Sequence, residues 1–370
     1  MMSNKKFQTF FDCGFSKIRA GTFNADNDKD ALCVESEFFI DRSNLESKIK
    51  KIIVSLEGMS DEYINSVNLM VDSPEILSIG ISLSKKLDRA KLKEENIKFL
   101  VQEAKQQILK YYTNYNIVHI IVNNYKIDGI DYSSLPDEIE CQFISLDILF
   151  ICLPTDLILY YKSIFSKLNI LIDQFICTSY AKSINYKNNL SLSGHVSFID
   201  VGFNKTSIIT YLNKKIIFID VLPIGGNHIT KDISKILEID LDKSEIVKLN
   251  FDQNPETLNK QDSSSDILQK IIFARTEEIL ELCYRSIKSN LFLTDMVKMV
   301  LTGEGSRILD SKYKDKISFS NDIDFLDETL EDICQSGFKF ISEPNKQEVV
   351  VVPKKSIKQG FFEKLFHLFR

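Results

Sequence analysis

Phe11-Asp12-Cys13-Gly14-Phe15-Ser16-Lys17 and Ile199-Asp200-Val201-Gly202-Phe203-Asn204-Lys205-Thr206 share one pattern, apolar-Asp-x-Gly-Phe-x-Lys. Each lies between an incoming apolar run and a returning one, so each reads as a hairpin. Asp and Gly are common turn formers, and a single copy would read as an ordinary β-turn. Two matching copies, one near the start of each half, predict a duplicated, two-lobed fold. The chemistry such a pair suits is phosphate binding. Glycine lets backbone N–H groups approach an oxyanion, Ser16 or Thr206 adds a hydroxyl, Lys17 adds charge, and Asp12 and Asp200 at the strand ends can hold Mg²⁺ through water.

Two further glycine clusters follow. Thr302-Gly303-Glu304-Gly305-Ser306 comes after the strand-like run Val297 to Leu301, a strand, glycine turn and helix order that suits an anion at a helix N-terminus. Pro223-Ile224-Gly225-Gly226-Asn227-His228-Ile229-Thr230 reads as a strand exit into a helix capped by Asn227. The chain has only 13 glycines in 370 residues, about half the usual usage of about 7%, and these clusters with Gly14 and Gly202 hold six of them.

Around these landmarks, strand-like runs (Lys6 to Phe11, Ile117 to Val122, Val196 to Ile199, Ser207 to Tyr211, Lys215 to Asp220, Val297 to Leu301) alternate with helical ones (Leu45 to Leu56, Lys91 to Tyr111, Asp156 to Leu168, Ile267 to Ser289), which predicts an α/β fold. The most apolar stretch, Phe143 to Pro154, carries Asp147 and is short enough for a buried strand. No apolar run reaches the length of a membrane span, and no secretory leader pattern opens the chain. A formal net charge of −6 argues against nucleic acid as a partner. Seven scattered cysteines without a C-x-x-C pair suit reduced thiols, and the four histidines have no ligand-like spacing for a metal.

These residues resemble the actin/Hsp70 ATPase superfamily and, within it, the bacterial cell-division family FtsA. Asp12-x-Gly14-x-Ser16-Lys17 looks like the first phosphate loop, Asp200-x-Gly202 through Asn204 and Thr206 the second, and Leu301-Thr302-Gly303-Glu304-Gly305, continuing to Ser306, the adenosine loop. More specific to FtsA are Leu222 to Asp232, which contains Gly226, the helix Ala274 to Leu282, and the closing Gly360-Phe-Phe-Glu-Lys-Leu-Phe366. Glu245 and Lys248 match the pair that flanks the nucleoside. The resemblance implies an actin-like two-lobed fold of duplicated RNase H-like domains. Subdomain 1A would take residues 1–81 and 148–190, an FtsA-type 1C insertion 82–147, 2A 195–223 and 300–340, and a shortened 2B 224–299. Residues 341–357 would be a linker.

The last segment, 358–370, reads as an amphipathic helix. At 100° per residue, Phe361, Phe362, Leu365, Phe366, Leu368 and Phe369 share an arc of about 160°, and Glu363, Lys364, His367 and Arg370 take the other side. About 15 Å long, it could lie in a membrane interface but not cross one. Lys354, Lys355, Lys358, Lys364 and Arg370 against Glu363 would favour an anionic leaflet. The other reading is a last helix docked on the body.

The resemblance then implies a protein that binds ATP with Mg²⁺, self-associates, and tethers FtsZ filaments to the cytoplasmic face of the inner membrane as a peripheral protein. The FtsZ C-terminal peptide would dock on 2B, where Arg275 is either its basic contact or a structural partner of Glu278. The sequence also departs from the family. Phe203 and Asn204 stand where the second loop has glycines, Phe15 where the first has Thr, Glu304 puts a carboxylate in the adenosine loop, and Thr178-Ser179-Tyr180-Ala181-Lys182 lacks the Glu that would orient a water. Binding needs mainly the clamp, whereas hydrolysis needs a positioned water, so little or no turnover is expected. The alternative is a PilM-like or actin-like cytoskeletal ATPase that uses a nucleotide cycle. A sugar kinase would need a sugar-binding carboxylate that no motif supplies.

Overall fold

The computed structural model describes residues 7–24, 27–39, 42–136, 139–190, 194–213, 215–253, 263–291, 297–305, 323–343 and 348. The first hairpin is β1 (Phe7–Cys13) and β2 (Ile18–Asn24), followed by β3 (Asn27–Glu35), α1 (Leu45–Ser60) and β4 (Ser66–Met70). Buried Leu45, Ile49, Ile52, Ile53 and Leu56 form one stripe of α1, the spacing that lays a helix on a sheet. Next come β5 (Leu77–Lys91), α2 (Glu94–Tyr111), β6 (Tyr115–Ile127), β7 (Ile130–Tyr132) and β8 (Glu140–Pro154), then α3 (Thr155–Lys167), β9 (Leu171–Ile176) and α4 (Thr178–Asn189). The second half runs β10 (His195–Val201), β11 (Thr206–Leu212), β12 (Lys215–Leu222), α5 (Gly226–Leu237), α6 (Leu241–Gln253), α7 (Ser263–Leu291), β13 (Lys298–Thr302), β14 (Ile323–Phe325) and α8 (Leu330–Ser342).

Two five-stranded sheets repeat one topology. Their orders are β3-β2-β1-β4-β9 and β12-β11-β10-β13-β14. In each, an antiparallel meander is followed by two strands parallel to the first. This is the duplication announced by the two Asp-x-Gly hairpins.

A four-stranded antiparallel sheet, β5-β8-β6-β7, is inserted between β4 and β9. It explains the long apolar run at Phe143 to Pro154. Leu149, Ile151 and Leu153 face the core of the first lobe, while Ile148, Phe150 and Cys152 face a separate core under α2. A strand buried on both faces has no polar alternation to show. The inserted sheet also touches the second lobe, where the Asn123 side chain donates to the Ile216 carbonyl at 2.7 Å. In the segment read as a linker, Glu348 pairs with Ile121 and accepts from buried His119 Nδ1 at 2.6 Å.

α8 closes the first lobe by packing on β1, β2 and β3. Its start is set by a capping box: Thr329 Oγ1 accepts from the Asp332 N–H at 3.1 Å, and Asp332 Oδ2 accepts from the Thr329 N–H at 2.9 Å. That cap holds buried Glu328 in the wall of the cleft between the lobes. The Asn227 cap expected from sequence is not what starts α5. Gly225 is the N-cap and Asn227 lies inside the first turn, because two N–H groups of that turn are taken by carbonyls of the second hairpin.

Candidate functional site

The two hairpins face each other across a cleft of about 320 Å³. Strand register builds the first wall. Asp12 pairs directly with Arg19 across β1 and β2, which brings the guanidinium NH1 to 3.3 Å from Asp12 Oδ2. Gly14, Ser16 and Lys17 fill the turn between them. On the opposite wall, parallel pairing of Asp200 with Thr302 lays the glycine turn after β13 against the second hairpin. Gly303 sits there at φ +91°, and a Cβ would stand 2.3 Å from Asp200 Oδ1, so only glycine fits. Gly225 is as tight, since its Cβ would meet the Gly202 carbonyl at 2.4 Å. These glycines let loops approach one another.

All four cations of the cleft are engaged by the chain's own acids. Glu304 lies 3.0 Å from Lys17 Nζ and 2.8 Å from Arg19 NH2, and Lys17 also reaches Glu35 at 3.5 Å. Lys182 on α4 is buried between Asp200 at 2.9 Å and Glu328 at 2.8 Å. Lys205 of the second hairpin crosses to Asp72, after β4, at 2.9 Å. Asp72 is further bonded by Ser207 Oγ, Cys177 Sγ and the Ser179 N–H, and Thr178 Oγ1 donates to Asp12 at 3.1 Å. Phe203 adds an apolar contact across the lobes, its ring edge-on to Phe38 at 5.3 Å.

These pairs move the proton affinities. Burial works to raise Asp72, Glu304 and Glu328, but Lys205, Arg19 and Lys182 respectively override it and hold each carboxyl below the ordinary range. For Asp200 burial prevails over Lys182, with Glu328 adding to it, and its carboxyl is raised. Burial would lower the Lys182 ammonium, yet Asp200 and Glu328 hold it well above the usual lysine value.

The cleft does not fit a magnesium nucleotide in this arrangement. Its lining carries Lys17, Arg19, Lys182 and Lys205 against Asp12, Glu35, Asp72, Asp200, Glu304, Asp327 and Glu328, an acidic balance with no cation left for a polyphosphate. Asp12 and Asp200, the expected Mg²⁺ carboxylates, face Arg19 and Lys182 instead. Among the described residues no group of three or more His, Cys, Asp or Glu is placed to hold a metal. The N-terminus of α5 is also committed. The Gly226 and Asn227 N–H groups donate to the Gly202 and Phe203 carbonyls at 3.0 and 2.7 Å.

Of the residues singled out from sequence, Asp12, Gly14, Ser16, Lys17, Asp200, Gly202 and Gly303 line the cleft. Thr206 is fully buried and gives its hydroxyl to the Ile224 carbonyl at 2.7 Å, and Asn204 accepts from the Asn227 side chain at 2.7 Å. A Cβ on Gly305 would meet Val201, so that residue packs under the second hairpin. Gly226, Glu245 and Lys248 do come together, with Lys248 Nζ 2.6 Å from Glu245 and 3.2 Å from the Gly226 carbonyl. They are almost fully buried and lie off the cleft lining. Ser306 and the apolar residues of the 358–370 segment lie outside the described residues. Arg275 is bonded to Asp232 and Glu278, both at 2.6 Å, the structural alternative for that residue.

Sequence reading missed Arg19, Glu35, Asp72 and Glu328, and quoted Lys182 and Lys205 without giving them a role in the cleft. Two signals pointed to some of them. Thr329-x-x-Asp332 is a capping-box pattern that would have placed Glu328 just ahead of a helix, and Thr178 and Lys182 are four apart on one helical face.

Comparison with known proteins agrees with this architecture. A family model described as Cell division protein FtsA matches residues 197–317. The cell division protein FtsA of Borreliella burgdorferi is 23% identical over 299 residues, covering 70% of each chain. That of Buchnera aphidicola subsp. Acyrthosiphon pisum is 23% identical over 348 residues, covering 82% of each. Among solved structures, the PilM-PilN type IV pilus biogenesis complex superposes with a TM-score of 0.64 at 11% identity, over 91% of this chain and 99% of that one. With the repeated five-stranded sheets and the facing Asp-x-Gly hairpins, these matches support an FtsA-like chain with the actin-like ATPase fold.

Proposed function

We propose that the protein is a cell-division adaptor of the FtsA type that works by assembly and not by phosphoryl transfer. The observation that carries this reading is the cleft, whose cations are all held by the chain's own carboxylates. An actin-like frame with a self-satisfied cleft keeps its shape and surfaces, which is what a scaffold needs. Hydrolysis would require a positioned water and charge neutralisation, and Thr178 and Lys182 are committed to Asp12 and Asp200. ATP and Mg²⁺ therefore carry no step of the reading. The remaining parts are self-association through the lobe faces, recruitment of the FtsZ C-terminal peptide by the α5, α6 and α7 region, and peripheral attachment to the inner membrane by the apolar face of residues 361–369. The relatives' role in cell division and the amphipathic pattern of the tail support these parts. Among the described residues no helix is long and apolar enough to cross a membrane.

The test is reconstitution on vesicles containing anionic phospholipid with FtsZ from the same organism. The full chain should recruit FtsZ to the vesicles, and a chain ending at residue 359 should not. Phosphate release above the buffer rate would count against the adaptor reading, as would vesicle binding that survives the truncation. The fit of the whole fold to PilM in complex with PilN favours a second reading, an assembly platform for another envelope machine. A chain that localises away from the division site would select it.

A further inference from the structure

The geometry points to Glu304 and Lys182 as built-in substitutes for a ligand: Glu304 holds the anion subsite of the cleft, Lys182 holds its cation subsite, and together they keep the lobes closed while opposing nucleotide binding. The first hairpin presents Lys17 and Arg19, the donors a phosphate chain would seek, and the carboxylate reaching them comes from the opposite lobe at 3.0 and 2.8 Å. Asp200 is the strand-end carboxylate a divalent cation would seek, and the charge against it is a buried ammonium from α4 at 2.9 Å. That ammonium also binds Glu328, just ahead of α8, so one point charge ties three elements together as a metal would.

Both substitutes link the lobes. Glu304 follows β13 of the second sheet and grips the β1–β2 hairpin of the first, and Lys205 returns the same contact to Asp72. An ammonium and a carboxylate supplied by the chain are always present at the site, so closure does not depend on ligand concentration. A polyphosphate would first have to displace Glu304, leaving that carboxylate beside an incoming anion. The inference rests on the same cleft contacts as the adaptor reading and deepens it, but it concerns what the cleft excludes and not what the surfaces recruit.

Glu304→Gln keeps the side-chain volume and removes the charge, and with its side chain 40% exposed the amide that replaces it stays in contact with water. Isothermal titration with Mg·ATP, ATP in EDTA and Mg²⁺ alone, on the full chain, reads affinity. Small-angle scattering of the same samples reads closure. E304Q should bind Mg·ATP at least tenfold tighter than wild type, and without nucleotide it should be measurably more open. Wild type should keep its shape with or without Mg·ATP. Wild-type affinity equal to or tighter than that of E304Q, or an E304Q chain as closed as wild type, overturns the inference. Phosphate release is a separate readout that bears only on the adaptor reading.

Discussion

Replacing Lys182 by methionine tests the cleft's charge plan most directly. The substitution keeps length and volume and removes one buried ammonium, with Asp200 at 2.9 Å and Glu328 at 2.8 Å left behind. At an effective dielectric of about 20, each contact is worth about 6 kcal/mol of gross attraction. Most of that offsets the cost of bringing the charges out of water, and removing one partner of a buried pair typically costs about 3–5 kcal/mol. With an unfolding entropy of about 2.1 cal/mol/K per residue, a cooperative chain of this length should lose about 4–6 °C in thermal midpoint. The pH dependence gives the sharper signature. In the wild type the Glu328 carboxyl is depressed, so its contribution is full at neutral pH and is lost as pH falls through its folded value. Without the ammonium, burial dominates at both carboxyls and raises them above their unfolded values. Each then destabilises at neutral pH and is relieved on acidification. Differential scanning fluorimetry at several pH values should show the wild-type advantage shrinking between about pH 7 and pH 5. A K182M chain as stable as wild type at neutral pH, or a deficit that does not change with pH, would refute the reasoning.

Other substitutions probe the frame that places these groups. A Cβ on Gly337 of α8 would stand 2.5 Å from Met70 Sδ and 2.8 Å from the Phe10 ring, so Gly337→Ala should lower the urea midpoint by about 1–3 kcal/mol equivalent, with the slope unchanged, despite better helix propensity. Thr329→Ala removes the cap of α8 and should cost about 1 kcal/mol in the same assay, with Thr329→Ser restoring most of it. Arg275 and Asp232 are only part-buried, so a double-mutant cycle between alanine variants should give a coupling of about 1 kcal/mol or less; no coupling would argue against a structural pair. Asp72, Glu304 and Glu328 are all depressed, so the stability they supply is full above their ordinary carboxylate range and is lost below it. Circular dichroism on acid titration should show wild type losing midpoint as pH falls through about 4, whereas a Lys205→Met chain, with Asp72 buried beside no cation, should be less stable than wild type at neutral pH and show that deficit shrinking on acidification.

The fold was legible because it is written in local patterns. Two Asp-x-Gly turns between apolar runs announce the duplicated sheets, and the stripe Leu45, Ile49, Ile52, Leu56 announces a helix on one face. Part of the cleft was legible for the same reason, since Asp12, Gly14, Lys17, Asp200 and Gly202 sit in those turns and Gly303 in the glycine turn after β13. Glu304 was visible as a misplaced acid, but its partners were not. Lys17 lies 287 positions away, and no local rule pairs them. Lys182 entered the sequence reading only as the end of a segment without a water-orienting Glu, and its partners appear once α4 is set against β10 and the start of α8. Glu245 and Lys248, matched by resemblance to the nucleoside position, meet Gly226 in one buried cluster that local sequence did not reveal.

From the sequence alone came the α/β class, the internal duplication and the positions of the loops, consequences of periodicity and turn chemistry within a few residues, while the actin-like fold came from the resemblance its motifs carry. Only the tertiary structure decided what fills the cleft. Ion pairing there depends on which lobe brings which charge within 3 Å, a relation between Lys17 and Glu304, Lys182 and Asp200, and Lys205 and Asp72 that exists only once the two sheets face each other.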